Sequence, residues 1–284
     1  MKLSALEILS QALEEDAPEG DTTCVALSKL CANIHHRSCG TILAKQDLVF
    51  SGEEFLVALR ELPQRAALRA PISTTLFCHD GDSIKKGEKM ATLQGHYSDL
   101  LLVERTLLNI LGRLCGIATL TQKFVSEVAH TPCKILDTRK TTPLLRTFEK
   151  SAVVHGGGQN HRMNLSDAIM LKENHLKTTD LDIKTLVNKI KELYPRKKII
   201  LEVENEEQLE QALTSKVDQI LLDNMTTEQI STCVKKFPPH IKSEASGNMN
   251  LERVRGVAET GVQFISIGLI THSVPCADIS FLLD

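Results

Sequence analysis

The chain has 284 residues, of which 42% are hydrophobic and 24% charged, and its formal net charge is −3. This composition excludes a disordered chain and is sufficient for one large domain or two smaller ones. Because only 4% of the residues are aromatic and the chain is slightly acidic, it lacks the basic surface and stacking rings that are typical of general nucleic-acid binders.

The N-terminal segment predicts an ordinary amphipathic helix over residues 1–16. Leu6, Leu9 and Leu13 recur at helical spacing, and the segment is too acidic for a signal peptide. No apolar run approaches the roughly 20 residues that cross a bilayer. The eight cysteines form no C-x-x-C pair, which favours reduced thiols over disulfides or a zinc site. We therefore expect a cytoplasmic protein.

The region up to about residue 110 has a mixed α+β pattern. A turn-rich stretch at 17–23 is followed by β-like runs at 40–44 and 74–78. Glycines then punctuate residues 79–95, which predicts a structural hairpin rather than the hairpin of a biotin or lipoyl carrier domain. A long helical pattern follows over about 100–130, with an interruption expected at Gly116. It suggests the connection between two domains, 1–112 and 113–272.

Strands and helices alternate from residue 133 onward. Strands are predicted at 134–137, within 165–171, and at 198–203, 219–223, 241–245 and 264–268; helices are predicted at 182–193, 206–213, 226–235 and 250–260. The last strands recur about every 20 residues, which is typical of parallel β/α units. The second half therefore predicts a β/α barrel or a large piece of one, in which chemistry takes place at the carboxyl ends of the strands.

Basic residues are concentrated at the first of these strand ends. This basic set consists of Arg139, Lys140, His161, Arg162 and Lys172. In a chain of net charge −3, such a concentration indicates a polyanionic ligand, since arginine forks suit carboxylates and phosphates and lysine supplies a point charge. Three neighbours, Arg146, Glu149 and Lys150, are open to the simpler interpretation of an exposed helix face. His175 taken alone favours a structural role.

The later strand ends carry two other kinds of residue. Glu202 and Asp223 are acidic, and carboxylates facing a polyanion site often hold Mg²⁺, which keeps several of its waters. The ends at 246–248 and at Gly268 contain small residues, which allow backbone N–H groups to approach a phosphate. The whole pattern indicates three ligand groups: an organic polyacid, a magnesium-bound polyphosphate and a separate monophosphate.

Nine short motifs follow one another along the last two thirds of the chain. They are Glu-Arg-Thr-Leu-Leu-Asn (104–109), Gly-Ile-Ala-Thr (116–119), Leu-Asp-Thr-Arg-Lys-Thr-Thr-Pro (136–143), Gly-Gly-Gly-Gln-Asn-His-Arg (156–162), Leu-Lys-Glu-Asn-His (171–175), Glu-Val-Glu (202–204), Leu-Asp-Asn (222–224), Glu-Ala-Ser-Gly (244–247) and Gly-Leu-Ile-Thr-His (268–272). With these motifs in order, the sequence resembles the quinolinate phosphoribosyltransferase family over nearly the whole chain. The resemblance implies an N-terminal α/β sandwich domain and an open seven-stranded β/α barrel. Residues from about 273 to 284 are expected to pack back on the first domain.

The resemblance also implies an activity and an assembly. Members transfer phosphoribosyl from 5-phosphoribosyl-1-pyrophosphate to quinolinate with Mg²⁺, and the products are nicotinate mononucleotide, pyrophosphate and CO₂, in NAD biosynthesis. The implied assembly is a homodimer with shared active sites, and a higher oligomer is left open. Neither nucleic acid nor membrane is expected as a partner.

Individual site roles follow from the same resemblance. Arg139, His161 and Arg162 are expected to bind the two carboxylates, together with Arg105 of the partner subunit. The expected catalytic residues are Lys140, Lys172, Glu202 and Asp223; the lysines lie between the two substrates, and the acids face the ribose and Mg²⁺, directly or through water. The residues expected at the 5-phosphate are Ser246, Gly247, Asn248 and Gly268, with His272 nearby.

Three positions depart from the commonest pattern of the family. Leu144 stands where glycine often follows Thr-Thr-Pro, Glu173 replaces a frequent aspartate, and Asn248 replaces a frequent glycine. The first two are expected to adjust loop shape. A side chain at 248 is expected to crowd the phosphate loop, although asparagine tolerates a positive φ better than most residues.

Four other functions compete with this one. A related protein encoded with molybdenum transport genes shares the Asp-Thr-Arg-Lys-Thr segment, but residues 160–162 and 172–175 lean toward the quinolinate enzyme. A phosphoribosyltransferase acting on a mono-acid would leave basic residues unpaired. A non-catalytic barrel that senses phosphorylated metabolites would not need both Glu202 and Asp223. A nucleic-acid-binding role is the least favoured.

Overall fold

The computed structural model describes residues 3–31, 34, 36–62 and 68–284. The chain divides into two compact units, each made of more than one segment. Unit 1 contains Met1–Leu120, Thr147–Gly156 and Val274–Asp284, and unit 2 contains Thr121–Arg146 and Gly157–Ser273. Compact packing units need not coincide with domains that fold alone, so the domain boundaries 1–112 and 113–272 stay predictions.

The described helices and strands alternate along most of the chain. The helices are Ala5–Asp16 (α1), Thr22–Ser28 (α2), Glu53–Ala58 (α3), Tyr97–Val128 (α4), Arg146–His155 (α5), Glu173–Leu176 (α6), Ile183–Leu193 (α7), Glu206–Leu213 (α8), Thr227–Val234 (α9), Leu251–Glu259 (α10) and Leu269–His272 (α11). The strands are Arg37–Ala44 (β1), Leu48–Val49 (β2), Ser73–Leu76 (β3), Ser83–Ile84 (β4), Lys89–His96 (β5), Lys134–Leu136 (β6), Ile169–Leu171 (β7), Ile199–Val203 (β8), Gln219–Asp223 (β9), Lys242–Ser246 (β10), Phe264–Ser266 (β11) and Ile279–Leu283 (β12). None of these helices is both long and apolar enough to cross a membrane.

Unit 1 is built on an antiparallel sheet of the order β12-β1-β5-β3, and β2 pairs with β4 in a separate ribbon. Helix α1 begins at a capping box, in which the Ser4 hydroxyl accepts from the Glu7 N–H and the Glu7 carboxylate accepts from the Ser4 N–H. It buries Ile8, Leu9 and Leu13. Its first two predicted residues lie outside the described part of the chain.

Gly116 does not interrupt helix α4, contrary to the sequence prediction. The helix is continuous from Tyr97 to Val128. A Cβ atom at Gly116 would collide with the Pro275 carbonyl oxygen, and one at Gly112 would lie 3.1 Å from the Ala277 carbonyl oxygen. The glycine therefore allows the backbone around Pro275 to approach the helix closely, rather than ending the helix.

Helix α5 turns Glu149 and Lys150 inward, so the interpretation of an exposed helix face, which the sequence left open, does not hold for these two residues. Both residues are completely buried. Arg113 of α4 donates to Glu149, with 2.6 Å between Nε and Oε1. A buried carboxylate is tolerated only where a partner of this kind offsets the loss of hydration.

Unit 2, in which every residue is described, has a six-stranded parallel sheet of the order β6-β11-β10-β9-β8-β7. Gln159 adds one further parallel bridge on the outer side of β6, opposite Leu136. The Gln159 N–H donates to the Ile135 carbonyl at 2.8 Å, and the Asp137 N–H donates to the Gln159 carbonyl at 3.1 Å. The seventh position of the barrel-like sheet is thus a single bridging residue.

Side-chain caps begin four helices of unit 2 a few residues beyond the preceding turn or strand. The capping residues are Asp182, Asn205, Thr226 and Asn250, and each accepts from the backbone N–H three residues ahead. Because the chain turns into α8, α9 and α10 soon after β8, β9 and β10, the carboxyl ends of these parallel strands and the helix starts share one edge of the sheet.

Candidate active site

A cavity of about 840 Å³ lies at the carboxyl ends of the strands of unit 2. Twelve sequence-predicted site residues line it: Arg139, Lys140, His161, Arg162, Lys172, Glu202, Asp223, Ser246, Gly247, Asn248, Gly268 and His272. The thirteenth, Arg105, is not among the lining residues; it is an exposed residue of α4 in unit 1. The structure thus brings the predicted residues of unit 2 together around one space.

Two arginines, Arg139 and Arg162, line this cavity, and the charge of one acts on the other. Burial lowers the pKa of Arg162, and the neighbouring charge of Arg139 lowers it further. Arg162 donates from Nη1 to the Ala168 carbonyl at 2.9 Å. The buried Nε of Arg139 has no hydrogen-bond partner within the described part of the chain. Two cations that repel each other and retain a free donor are suited to an anion with two negative groups.

His161 is fixed on three sides. Its backbone N–H donates to Asp137 Oδ1 at 2.8 Å, and its ring Nδ1 accepts from the Arg162 N–H at 2.7 Å. Because Nδ1 accepts, the ring proton of the neutral tautomer is on Nε2, which lies 3.4 Å from Glu244 Oε2. A buried carboxylate, Glu244, therefore lies beside the ring of His161.

Lys172 and Glu202 are in direct contact across the cavity, from Nζ to Oε2. His175 holds the lysine backbone, since its Nδ1 accepts from the Lys172 N–H at 3.1 Å. Lys140 is exposed at the cavity edge, and its carbonyl accepts from the Thr271 hydroxyl at 2.8 Å. The two lysines thus enter the cavity in different states, one paired with a carboxylate and one facing solvent.

The acidic side of the cavity fits a cation that needs few protein ligands. Glu202 and Asp223 both line it, and Asp223 Oδ2 accepts from Asn224 Nδ2 at 2.7 Å. No group of three or more His, Cys, Asp or Glu side chains able to hold a metal occurs among the described residues. This donor set suits Mg²⁺, which keeps several waters and is shared with substrate phosphates, and does not suit a closed metal cage.

Small residues keep two loops of the cavity open. Gly247 has φ +96°, and a Cβ there would collide with the Asn224 side chain. Asn248 has φ +49°, in the left-handed region that asparagine tolerates. A Cβ at Gly268 would lie 3.0 Å from His272 Cδ2 and 3.1 Å from Lys140 Cδ. Glycine at 268 therefore leaves room for both side chains.

A further set of lining residues was not predicted from the sequence. Four of these lie two positions before a predicted one: Met170 before Lys172, Leu221 before Asp223, Glu244 before Ser246 and Ser266 before Gly268. Since alternate residues of a strand face the same side, applying a period of two backward from each strand end would have found them. Thr138, Asn224, Met249, Asn250 and Leu269 also line the cavity.

Two family models cover most of the chain. Residues 21–115 match the N-terminal domain of quinolinate phosphoribosyl transferase, and residues 117–282 match its C-terminal domain. A Bacillus subtilis protein named probable nicotinate-nucleotide pyrophosphorylase (carboxylating) is 37% identical over 279 residues, which cover 98% of this chain and 93% of that protein.

Other relatives agree with this match. A Nicotiana tabacum quinolinate phosphoribosyltransferase (decarboxylating) is 36% identical over 98% of this chain and 81% of its own length. The crystal structure of a nicotinate-nucleotide pyrophosphorylase from Ehrlichia chaffeensis superposes with a TM-score of 0.90 at 33% identity, and covers 100% of both chains. This chain therefore belongs to the quinolinate phosphoribosyltransferase family.

Proposed function

We propose that this protein is a pentosyltransferase of NAD biosynthesis, a nicotinate-nucleotide pyrophosphorylase (carboxylating). It transfers phosphoribosyl from 5-phosphoribosyl-1-pyrophosphate to quinolinate and releases pyrophosphate and CO₂, leaving nicotinate mononucleotide. The observation that carries this proposal is the adjacent pair Arg139 and Arg162 in the cavity that also holds Glu202 and Asp223. The relatives that match 98% of the chain carry names of this enzyme.

The chain's own residues act mainly by position and charge. Arg139 and Arg162 bind the two carboxylates and direct the pyridine nitrogen at the anomeric carbon of the ribose. As the new C–N bond forms, the bond to pyrophosphate breaks with its electron pair, and positive charge develops on the ribose. Glu202 and Asp223 stabilise that charge, while Lys140 and Lys172 stabilise the leaving pyrophosphate.

Decarboxylation then needs no protein nucleophile. The ring nitrogen is cationic after transfer. When CO₂ leaves, the electron pair of the broken carbon–carbon bond stays on the ring carbon next to this nitrogen, where the positive charge stabilises it. Water supplies the proton that this carbon takes up. The protein holds the ring carboxylates in place and keeps the cationic nitrogen in a cavity of fixed charges.

Mg²⁺ belongs to the proposal as the partner of phosphoribosyl pyrophosphate. Glu202 and Asp223 would hold it, directly or through its waters, since the side chains of both carry carboxylates and line the same cavity. When bound, Mg²⁺ neutralises charge on the pyrophosphate and makes it a better leaving group.

The proposed assembly is a homodimer in the cytoplasm. In it, Arg105 of the partner subunit reaches the carboxylates of quinolinate. Two features support this part: Arg105 is exposed in unit 1, and the cavity of unit 2 contains the rest of the predicted set without it. The family resemblance supplies the pairing of subunits.

The test follows product formation by the purified protein with phosphoribosyl pyrophosphate and Mg²⁺. One reaction contains quinolinate, and a parallel reaction contains nicotinate; CO₂ and nicotinate mononucleotide are measured. Turnover in the reaction with quinolinate, and none in the reaction with nicotinate, supports the proposal. Turnover with nicotinate alone identifies a mono-acid enzyme, and no turnover by folded protein points to the molybdenum-linked relative or to a non-catalytic barrel.

A further inference from the structure

Two loops of the cavity are tied together by one asparagine. We call residues 223–226, which begin with the last residue of β9, the β9 loop, and residues 246–250, which begin with the last residue of β10, the β10 loop. The Asn224 N–H donates to the Ser246 carbonyl at 3.0 Å, and Asn224 Nδ2 donates to Asp223 Oδ2 at 2.7 Å. Asn224 Oδ1 accepts from Asn248 Nδ2 at 3.4 Å. One side chain thus contacts the acid of one loop and the asparagine of the other.

The orientation of the Asn224 amide follows from its neighbours. A carboxylate can only accept, so the NH₂ group faces Asp223 and the oxygen faces the β10 loop. Asn224 adopts φ +54°, a conformation that few residues other than glycine and asparagine take without strain. Gly247 fits beneath the amide oxygen only because it has no Cβ. Backbone and side chain are therefore both specified at this position.

A second residue ties the same loops from outside the cavity. Arg253 of α10 donates from Nη1 to the Gly247 carbonyl at 2.9 Å and from Nη2 to the Met225 carbonyl. Arg253 is partly buried and is not among the residues that line the cavity. A guanidinium group can bridge two carbonyls in this way, whereas the single ammonium of lysine cannot reproduce the fork.

We propose that Asn224 and Arg253 are positioning residues for the phosphoribosyl pyrophosphate half of the site. They hold Asp223 and the β10 loop in one fixed arrangement, so that the carboxylate near the ribose and the loop near the 5-phosphate are set together. The hydrogen bonds described for Asn224 and Arg253 go to the β9 and β10 loops and not to Arg139 or Arg162, which face the diacid in the proposed function. This inference rests on the proposed function for the identity of the two substrates.

The test measures binding of each substrate separately by calorimetry, with kcat and KM as a second readout. Arg253→Met removes the fork, and Asn224→Asp keeps the shape of the side chain but places a carboxylate against Asp223. We expect each change to weaken binding of magnesium phosphoribosyl pyrophosphate about tenfold or more, since each removes hydrogen bonds that fix the loops. Quinolinate binding should stay within about twofold of wild type.

Two controls separate positioning from general stability. Arg255→Met changes another arginine of α10, whose ion pairs among the described residues are with Glu127 and Glu259, and should leave both affinities unchanged. Arg253→Lys keeps the charge without the fork and should resemble Arg253→Met. Asn224→Asp provides the answer if Arg253→Met does not fold.

The outcomes are distinct. Equal loss of affinity for both substrates, or wild-type affinity in Arg253→Met and Asn224→Asp, overturns the inference. A wild-type protein that binds phosphoribosyl pyrophosphate but never turns over quinolinate overturns the proposed function, while the loop variants still test the inference by binding. A wild-type protein that does not bind phosphoribosyl pyrophosphate overturns both.

Discussion

Glu244 is a carboxylate with no exposed surface, placed in the middle of a strand. Its oxygens accept hydrogen bonds from Gln219 Nε2 and Ser266 Oγ. We expect Glu244→Ala to lower the free energy of unfolding by about 3 kcal/mol, because two buried donors lose their acceptor and a cavity is left. Urea unfolding followed by circular dichroism measures the change.

Two other variants make this measurement specific. Glu244→Gln keeps the volume but replaces an acceptor with a donor, and should lower the free energy of unfolding by about 1–2 kcal/mol. Glu192 is an exposed residue of α7, and Glu192→Ala is the control. Its free energy of unfolding should stay within about 0.5 kcal/mol of wild type, as is usual for surface substitutions. If Glu244→Ala is as stable as wild type, water replaces the carboxylate without lowering the free energy of unfolding, which contradicts the prediction.

The cysteines provide a residue-scale prediction that follows from burial. Burial raises the pKa of Cys78, Cys115 and Cys133 to about 12 in each case, whereas Cys31 and Cys276 are exposed. Since the thiolate is the reactive form, only about 1 in 10,000 of the buried thiols is ionised at pH 8. Iodoacetamide at pH 8 should therefore modify Cys31 and Cys276 first.

Peptide mass spectrometry over time checks this order. The three buried thiols should react only after denaturant is added, which also shows that their peptides are detectable. Modification of Cys115 in folded protein at the rate of Cys276 would contradict the prediction and would indicate local opening of unit 1.

At the scale of helices, a close contact with the backbone at Pro275 explains why residue 116 is glycine, whereas helix propensity would favour another residue. Alanine is the better helix former by about 1 kcal/mol, yet a Cβ at Gly116 would collide with the Pro275 carbonyl. We expect Gly116→Ala to lower the free energy of unfolding by about 1–3 kcal/mol, because the backbone must move away. Thermal and urea unfolding measure it.

Gly256 of α10 is the matched control. A Cβ there would have its nearest neighbour, Thr227 Cγ2, at 3.9 Å, so Gly256→Ala should raise the free energy of unfolding by about 0.5–1 kcal/mol. If both alanines stabilise the protein, the close approach at Pro275 does not constrain Gly116.

The helices show which features the sequence could predict and which it could not. Helix α8 was predicted to the residue because Asn205, its cap, is a local signal. The interruption at Gly116 was wrong because the reason for that glycine is a contact far along the chain. The burial of Glu149 stayed open at the sequence level for a similar reason, since its partner Arg113 is 36 residues away. Local patterns specify elements, while distant partners decide which faces are buried.

The candidate active site also has residues that the sequence could predict and residues that it could not. Residues at strand ends could be predicted because the chain order of β/α units brings them to one edge. Arg253 could not, since it lies within α10 and acts through two backbone carbonyls, and an arginine on a helix usually faces solvent. The acceptor role of His161 Nδ1 likewise depends on the turn into Arg162, which the residue types alone do not specify.

At the scale of the whole molecule, unit 1 depends on segments that are far apart in the chain. Strand β12 pairs with β1, with Gly40 opposite Leu283 and Ala44 opposite Ile279. Ser38 Oγ donates to the Asp284 carbonyl across 246 residues. The position of residues 273–284 was expected from the family resemblance alone, because nothing in their own pattern identifies a partner strand.

The proposed sharing of sites between subunits makes a quantitative prediction. Arg105→Ala and Lys140→Ala should each be inactive alone. If subunits exchange freely at equal amounts, half of the dimers are hybrids, and each hybrid has one intact site, built from Arg105 of one chain and Lys140 of the other. The mixture should then recover about a quarter of wild-type activity. A mixture of Lys140→Ala with Lys172→Ala is the control, since both residues line the cavity of unit 2 and every site in such a hybrid keeps one defect. Native mass spectrometry of tagged subunits shows whether hybrids form. If hybrids form but have no activity, the sites are not shared, and an active Arg105→Ala protein would contradict the prediction as well.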